Sequence, residues 1–299
     1  MICDLCPRRC GALRTEERGL GRCRMPELPV LARAALHRWE EPPISGTRGS
    51  GTIFFSGCSL GCVFCQNEEI SHRDFGKAVT LERLARICGE LVDQGAHNLN
   101  FVNPTHYAHV VGRLLEEHPQ PVPVVWNSGG YESLETLKQL EGLVDIYLPD
   151  LKYLDSDAAG RYSGASDYPQ TAQAAIREMV RQTGPCAFDG DGLLTRGVVI
   201  RHLILPGQVS QAKAVMDWVA AEFGPGTVLF SLMSQYTPWG RSAEFPEIHR
   251  RLRAGEMRAA AEYMANLGLE GFTQERTSAQ REYTPPFDLT GVAGEGGAL

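Results

Sequence analysis

The sequence predicts an α/β fold: a partial TIM barrel of about six βα units behind a Cys-rich N-terminal extension. Two observations carry this prediction. From residue 52 onward, short apolar runs alternate with amphipathic helical stretches, the pattern of βα units on a parallel sheet. The chain is also long enough, at 299 residues and 43% hydrophobic, to bury one large core, and single α/β barrels run to this size. A doubly wound open sheet has the same local pattern, so both topologies fit at this level.

The first run is Thr52-Ile-Phe-Phe55, and the first clear helix is expected from Leu81 to Gln94, opened by Thr80 and closed by Gly95. Leu81, Leu84, Ala85, Cys88, Leu91 and Val92 share one face of it. Leu99-Asn-Phe-Val102 leads into a helix through Val110, Val111, Leu114 and Leu115. The run from Val122 to Trp126 leads to a helix capped by Ser133, and Val144-Asp-Ile-Tyr-Leu148 to a helix from about Gln170 to Gln182. The fifth run, Val198 to Ile204, passes through Pro206-Gly207 to a helix capped by Ser210. The sixth, Val228 to Met233, precedes a polar loop and a helix near Gly255 to Asn266.

Three segments are expected: a Cys-rich extension over 1–45, the barrel over 46–277, and an irregular Pro/Gly-containing tail over 278–299. The glycines from Gly46 to Gly51 precede their strand, whereas phosphate loops follow one, so they read as a flexible lead-in. A net charge of -7 with no Lys/Arg run argues against a nucleic-acid partner. The N-terminus lacks the apolar core of a signal peptide and no run is long enough to span a bilayer, which places the chain in the cytoplasm by expectation. Seven of its nine cysteines fall in two short clusters, a pattern of metal or cluster ligation more than of a disulfide framework.

The loop Cys58-Ser-Leu-Gly-Cys62-Val-Phe-Cys65 follows the first run immediately. Three thiolates can hold three corners of a [4Fe-4S] cubane and leave one iron open, because full ligation takes four. An open iron can chelate the amino and carboxylate groups of S-adenosylmethionine (SAM), and an electron passed through it can cleave the sulfonium. The bland alternatives are buried thiols or a zinc site completed from outside the motif by His72.

The loop resembles that of radical SAM enzymes, and within them the pyruvate formate-lyase activating enzyme-like group; the resembling segments run from Cys3 to about Tyr236. The resemblance implies a partial TIM barrel with cluster and SAM at the C-terminal ends of the strands. It also implies reduced-cluster chemistry, an electron donor of the reduced flavodoxin or ferredoxin type, and a glycyl-radical enzyme or other protein substrate.

Asn103-Pro-Thr-His106 stands where many relatives carry Gly-Gly-Glu-Pro against the SAM amino group; here Asn103 and Thr105 offer oxygen acceptors. His106 faces substrate or simply caps a helix. Asn127-Ser128-Gly-Gly-Tyr131 is similar to the Asp-Thr-Asn-Gly-Phe segment of activating enzymes, with Asn127 in place of the acid of a cation site, so Ser128 is retained and the cation is not. A plain Gly turn is the other reading. Asp150-Leu-Lys152 looks like the family's Asp-x-Lys signature, an acceptor for ribose hydroxyls and a donor for the SAM carboxylate, or else an ion pair at the surface. Arg201 to Gly207 resembles the Arg-x-x-x-x-Pro-Gly segment; a charged Arg in an apolar strand needs a mate, which a carboxylate supplies. His202 alternates away from it. Gln235 or Tyr236 takes the place of a ribose-contacting His. No side chain is singled out as catalytic.

Upstream, Cys3, Cys6, Cys10 and Cys23 offer enough thiolates to close a zinc or a second iron–sulfur site. Cys88 is expected in the core, and Cys186 has no evident partner. Three functions follow. The first is SAM cleavage with hydrogen abstraction that activates a glycyl-radical enzyme. The second directs the same radical at a peptide or small metabolite. The third is a non-enzymatic, zinc-stabilised binding protein.

Overall fold

The computed structural model describes residues 1–273 and 285–293. Its main sheet begins with β1 (Val30–His37) and β2 (Ser50–Phe55), continues through β3 (Leu99–Val102), β4 (Val124–Ser128), β5 (Ile146–Pro149), β6 (Leu194–Leu203) and β7 (Leu229–Met233), and ends at β8 (Gly271–Thr273). From β2 to β8 every neighbour is parallel and spatial order equals chain order. That order decides between the two topologies. A doubly wound sheet reverses direction at a switch point, whereas right-handed crossovers in unbroken sequence put all helices on one face and curl the sheet into an incomplete barrel.

The helices are α1 (Leu81–Asp93), α2 (Ala108–Glu117), α3 (Leu134–Gln139), α4 (Ser156–Ser163), α5 (Tyr168–Thr183), α6 (Val209–Glu222) and α7 (Ala254–Leu267). Local chemistry places their ends. The Thr80 hydroxyl accepts from Arg83 N at the start of α1, and Ser133 accepts from Thr136 N at the start of α3. Gly164 and Gly268 close α4 and α7 in the left-handed conformation that costs glycine nothing. The Ser210 cap expected for α6 is not formed: the helix starts at Val209 with Gln208 ahead of it and no side-chain cap.

Strand alternation sorts the core into two layers. Ile53, Phe101, Trp126, Tyr147, Val198 and Phe230 face the helices. Val125, Ile146, Leu148, Val199 and Leu229 face the barrel interior, where they meet Ile44 from the connection between β1 and β2. Within the stretch 1–45 read as an extension, Val30–His37 is thus an integral strand, antiparallel to β2 and flanked on its other side by the short antiparallel strand Lys77–Ala78. Of the tail, residues 278–284 and 294–299 lie outside the described residues. Residues 285–293 carry no helix or strand and lie along β1: Leu289 N donates to Ala32 O, Ala34 N donates to Thr290 O, and Arg33 pairs with Asp288. No described helix is long and apolar enough to cross a membrane.

Candidate SAM and cluster site at the strand ends

The cysteine loop leaves β2 at the C-terminal mouth of the barrel. Gly57, at φ +83°, makes the turn; a Cβ there would overlap Met25 Cγ, so the N-terminal head packs directly on the loop. Two arginines from that head hold it in shape. Arg8 donates to Ser59 O (2.8 Å), Ser163 O (3.2 Å) and Gly164 O (2.6 Å), and Arg22 donates to Leu60 O (3.0 Å). Val63 N donates to Tyr162 O, which ties the loop to α4.

Each of the three sulfurs has a donor. Leu60 N donates to Cys58 Sγ (3.4 Å), Ser163 Oγ to Cys62 Sγ (2.9 Å) and Ser71 Oγ to Cys65 Sγ (3.2 Å). Burial pushes the Cys65 thiol up to about 12, and burial also raises Cys62 although Lys152 beside it pulls the other way. Desolvated thiols that influence one another electrostatically, each with a hydrogen bond aimed at sulfur, are fit to ligate a cluster: binding iron removes the proton that burial would otherwise keep. Among the described residues no three His, Cys, Asp or Glu side chains gather around a single metal ion. A cubane takes each cysteine at a separate corner, so its ligands need not meet at one point.

Lys152 joins this loop to the next strand ends. A Cβ on Gly129 would lie 3.1 Å from Leu60 Cδ1 and 3.7 Å from Lys152 Cε, so the loops after β2, β4 and β5 converge there. Gly130, at φ +76°, admits no side chain, because its Cβ would sit 2.1 Å from Asp150 O. Tyr168, the first residue of α5, stands over both: its hydroxyl lies 2.9 Å from Gly129 O and 2.6 Å from Asp150 O, and accepts from Lys152 N.

Asp150, Lys152 and Arg201 form one buried network. Lys152 Nζ donates to Asp150 Oδ2 (2.6 Å), Arg201 approaches Asp150 Oδ1 to 2.9 Å, and Arg201 Nη2 donates to Asn127 Oδ1 (2.7 Å). Burial pushes Asp150 up, but Arg201 and Lys152 outweigh it and hold the carboxyl below the ordinary carboxylate range. Burial opposes the charge on Lys152, and Asp150 overcomes it, so the ammonium stays protonated. The surface ion pair considered for Asp150 and Lys152 is therefore a buried one, and the mate of Arg201 is supplied by the protein itself.

The remaining predicted residues divide. Asn103 adopts φ +57° and donates from Nδ2 to Gly57 O (2.5 Å), beside Cys58, while its N–H donates to Asn127 O. Ser128 is buried and accepts from Gly130 N (3.2 Å). Thr105 is turned toward Glu132, to which its hydroxyl donates (2.6 Å). Gln235 is half-buried with Oε1 unpartnered, whereas Tyr236 is engaged with Ile248 O. His106 neither faces a substrate nor caps a helix in solvent: it is buried, its Nε2 lies 2.7 Å from Ser56 O, and burial drives its pKa down to about 3. His202 is buried against Leu151 O.

In the head, Cys3, Cys6 and Cys23 are buried and Cys10 is exposed. They are near enough to influence one another's charge, and Cys6 is pushed up to about 12, mainly by burial. They do not gather around one metal ion. Buried Arg14 ties the head together: it donates to Pro26 O and His106 O and lies 4.8 Å from the Tyr107 ring.

Over residues 52–218, more than half of the chain, the sequence matches the family described as the Radical SAM superfamily. The chain belongs to this superfamily. Membership implies a [4Fe-4S] cluster and SAM, and it makes the protein an enzyme of radical chemistry, so the zinc-stabilised binding protein is not retained. The uncharacterized protein MJ0674 of Methanocaldococcus jannaschii is 30% identical over 278 residues, 90% of this chain and 75% of that protein. Among solved structures, SuiB of Streptococcus suis bound to S-adenosylmethionine superposes with a TM-score of 0.54 at 16% identity, covering 76% of this chain and 50% of SuiB. Methylornithine synthase (PylB) gives 0.50 at 13% identity over 74% of this chain and 70% of that one. At such identity these two share the fold, and this chain spans about half the length of SuiB.

Sequence inspection missed Tyr168, Glu132, Glu40 and Glu41. Only Glu132 had an available signal, an acid directly after the Gly-Gly-Tyr segment. It is fully buried, accepts from Thr105, lies 3.5 Å from Trp126 Nε1, and is raised to about 7 by burial.

Proposed function

We propose that this radical SAM enzyme abstracts hydrogen from a substrate held over the barrel mouth. The single observation behind this is the meeting of the cysteine loop, Gly129 and Lys152 at neighbouring strand ends. Cys58, Cys62 and Cys65 would hold a [4Fe-4S] cluster, which would supply the electron for reductive cleavage of SAM. The protein's own contribution is positioning. Gly129 and Gly130 let backbone approach the ligand closely, and Asp150 orients the Lys152 ammonium and the Arg201 guanidinium as donors beside a carboxylate. Asn103, Ser128 and Gln235 are assigned to SAM's polar groups, and Thr105 is assigned with them, held in place by Glu132. A reductant of flavodoxin or ferredoxin type feeds the site.

The activating-enzyme reading takes a backbone glycine of a partner protein as hydrogen donor, by resemblance of the strand-end segments. The alternative target is a peptide side chain or small metabolite. Anaerobically reconstituted and reduced enzyme releases 5′-deoxyadenosine, and Cys65→Ala does not. Deuterium carried from labelled candidates into 5′-deoxyadenosine separates the two targets. No SAM cleavage by a preparation with an intact, reducible cluster would overturn the assignment.

A further inference from the structure

The connection between β1 and β2 does not stay outside the barrel. Its Ile44 joins the interior layer, and the two acids ahead of it reach the level of the Asp150–Arg201 network. Glu41 Oε1 accepts from Ser231 Oγ (2.8 Å), and Ser231 is the register partner of Arg201. Glu40 Oε1 accepts from Asn127 Nδ2 (3.3 Å), and its Oε2 lies 3.6 Å from Arg201 Nη1. Glu40 and Glu41 thus form a floor beneath the site at the strand ends.

This floor is under-satisfied. Three acids, Glu40, Glu41 and Asp150, face two cations, Arg201 and Lys152; Lys152 is taken by Asp150, and Arg201 is shared by Asp150 and Glu40. Glu41 Oε2, on a side chain almost wholly buried, has no hydrogen-bond partner. Neither atom of the Asn100 amide has one, although Asn100 is fully buried. Asn100 stands in register with Thr52 and Val125, and its amide is close enough to the Glu40 carboxyl to favour the charged form of that acid. Burial raises both Glu40 and Glu41, as expected of carboxylates stripped of water without a full set of partners. Unpartnered buried polar atoms on this scale are uncommon in native proteins and call for a ligand or an ordered water.

We propose that Glu40, Glu41 and Asn100 receive a primary ammonium group of the substrate. The chemistry matches donor to acceptor: an ammonium has three donors and no acceptor, and the floor presents carboxylate oxygens and one amide oxygen. One positive charge would also keep the two carboxylates ionised against the burial that raises them. Asn100 Nδ2, the one donor of that amide, is the group that favours the charged form of Glu40, which leaves Oδ1 for the cation. This assignment rests on the hydrogen-abstraction reading, for which it names an amine-bearing substrate.

The test uses the full-length, anaerobically reconstituted enzyme with methylammonium chloride as probe, and tetramethylammonium chloride keeps ionic strength constant. Methylammonium raises Tm in a saturable way, while tetramethylammonium, too bulky and without N–H donors, does not. Glu41→Gln weakens methylammonium binding about tenfold or more, the loss of one charge-assisted hydrogen bond to a buried carboxylate. Asn100→Leu, which fills the same space with no polar atom, weakens it as well and guards against a folding defect confined to one variant. Equal Tm curves for methylammonium and tetramethylammonium overturn the proposal and leave a water-filled floor. Stabilisation by potassium with none by methylammonium also overturns it, by assigning the floor to an alkali cation. The same preparations are assayed for iron and for 5′-deoxyadenosine release: methylammonium binding without SAM cleavage keeps the ammonium site and removes the radical reading.

Discussion

Asp150→Asn tests the buried network directly, because it keeps the shape of the side chain and removes one charge. Among the described residues Asp150 is the only carboxylate bonded to Lys152, and it shares Arg201 with Glu40 and with the Asn127 amide. All three side chains of the network are less than a fifth exposed, so solvent replaces the lost charge poorly. Removing one partner of a buried pair costs about 3–5 kcal/mol. Arg201 keeps two partners, which puts the expected loss near the bottom of that range, about 3 kcal/mol. For a chain of this size that is a fall in Tm of about 5–10 °C. The assay is thermal unfolding of the protein without SAM, wild type against Asp150→Asn, across pH. The sign follows from the depressed carboxyl: its contribution is present above the ordinary carboxylate pKa and is lost as pH falls through its value in the folded protein. The gap between the two proteins is therefore widest at neutrality and closes on acidification. Lys152→Met in the Asp150→Asn background recovers part of the loss, because it removes the stranded ammonium. A Tm difference of about 1 °C or less at neutral pH, well under one kcal/mol, or a gap that does not narrow in acid, would refute the network.

Glu132→Gln probes a group moved the opposite way. With Glu132 raised from 4.5 to about 7, stability falls as pH climbs through that window, since the unfolded chain releases the proton first; the penalty reaches about 3 kcal/mol above it. The variant shows a flatter Tm against pH between those values, and an unchanged slope counts against the assignment. Gly130→Ala drives a Cβ to 2.1 Å from Asp150 O at φ +76° and is expected to cost more than about 2 kcal/mol, with SAM binding lost. Gly129→Ala, which meets the flexible side-chain ends of Leu60 at 3.1 Å and Lys152 at 3.7 Å, is the milder control, and equal effects would contradict the geometry. Arg8→Ala strips donors from four carbonyls around the cysteine loop. About 2 kcal/mol of local stability is lost, read as lower iron content per chain after reconstitution and faster proteolysis between residues 57 and 66.

The βα alternation, the cysteine loop and the strand-end residues were all legible in the sequence because each is local. A helix face repeats within seven residues, a hydroxyl caps the backbone three residues on, and a cysteine loop declares itself by spacing. Asp150, Lys152 and Arg201 were found for the same reason, an acid and an amine two apart and a charge in an apolar strand. What these residues bond to was not local. Strand order decided that the sheet curls into a barrel, and the barrel decided that Arg201 meets Asp150, Asn127 and Glu40 across separations that no periodicity records. Val30–His37 read as part of a Cys-rich head, yet pairing with Ser50–Phe55 on one side and Lys77–Ala78 on the other makes it a strand of the barrel sheet. His106 looked like a polar residue at a helix start and is a buried one held by Ser56 O. Glu40 and Glu41 had no signal in sequence, because two acids ahead of two prolines describe an exposed turn; only the inward fold of that connection buries them. Sequence by itself determined the class of chemistry, since the spacing of three cysteines within one loop is a local signal. Tertiary structure alone decided the surroundings of those ligands, because burial and charge partners arise where distant segments pack.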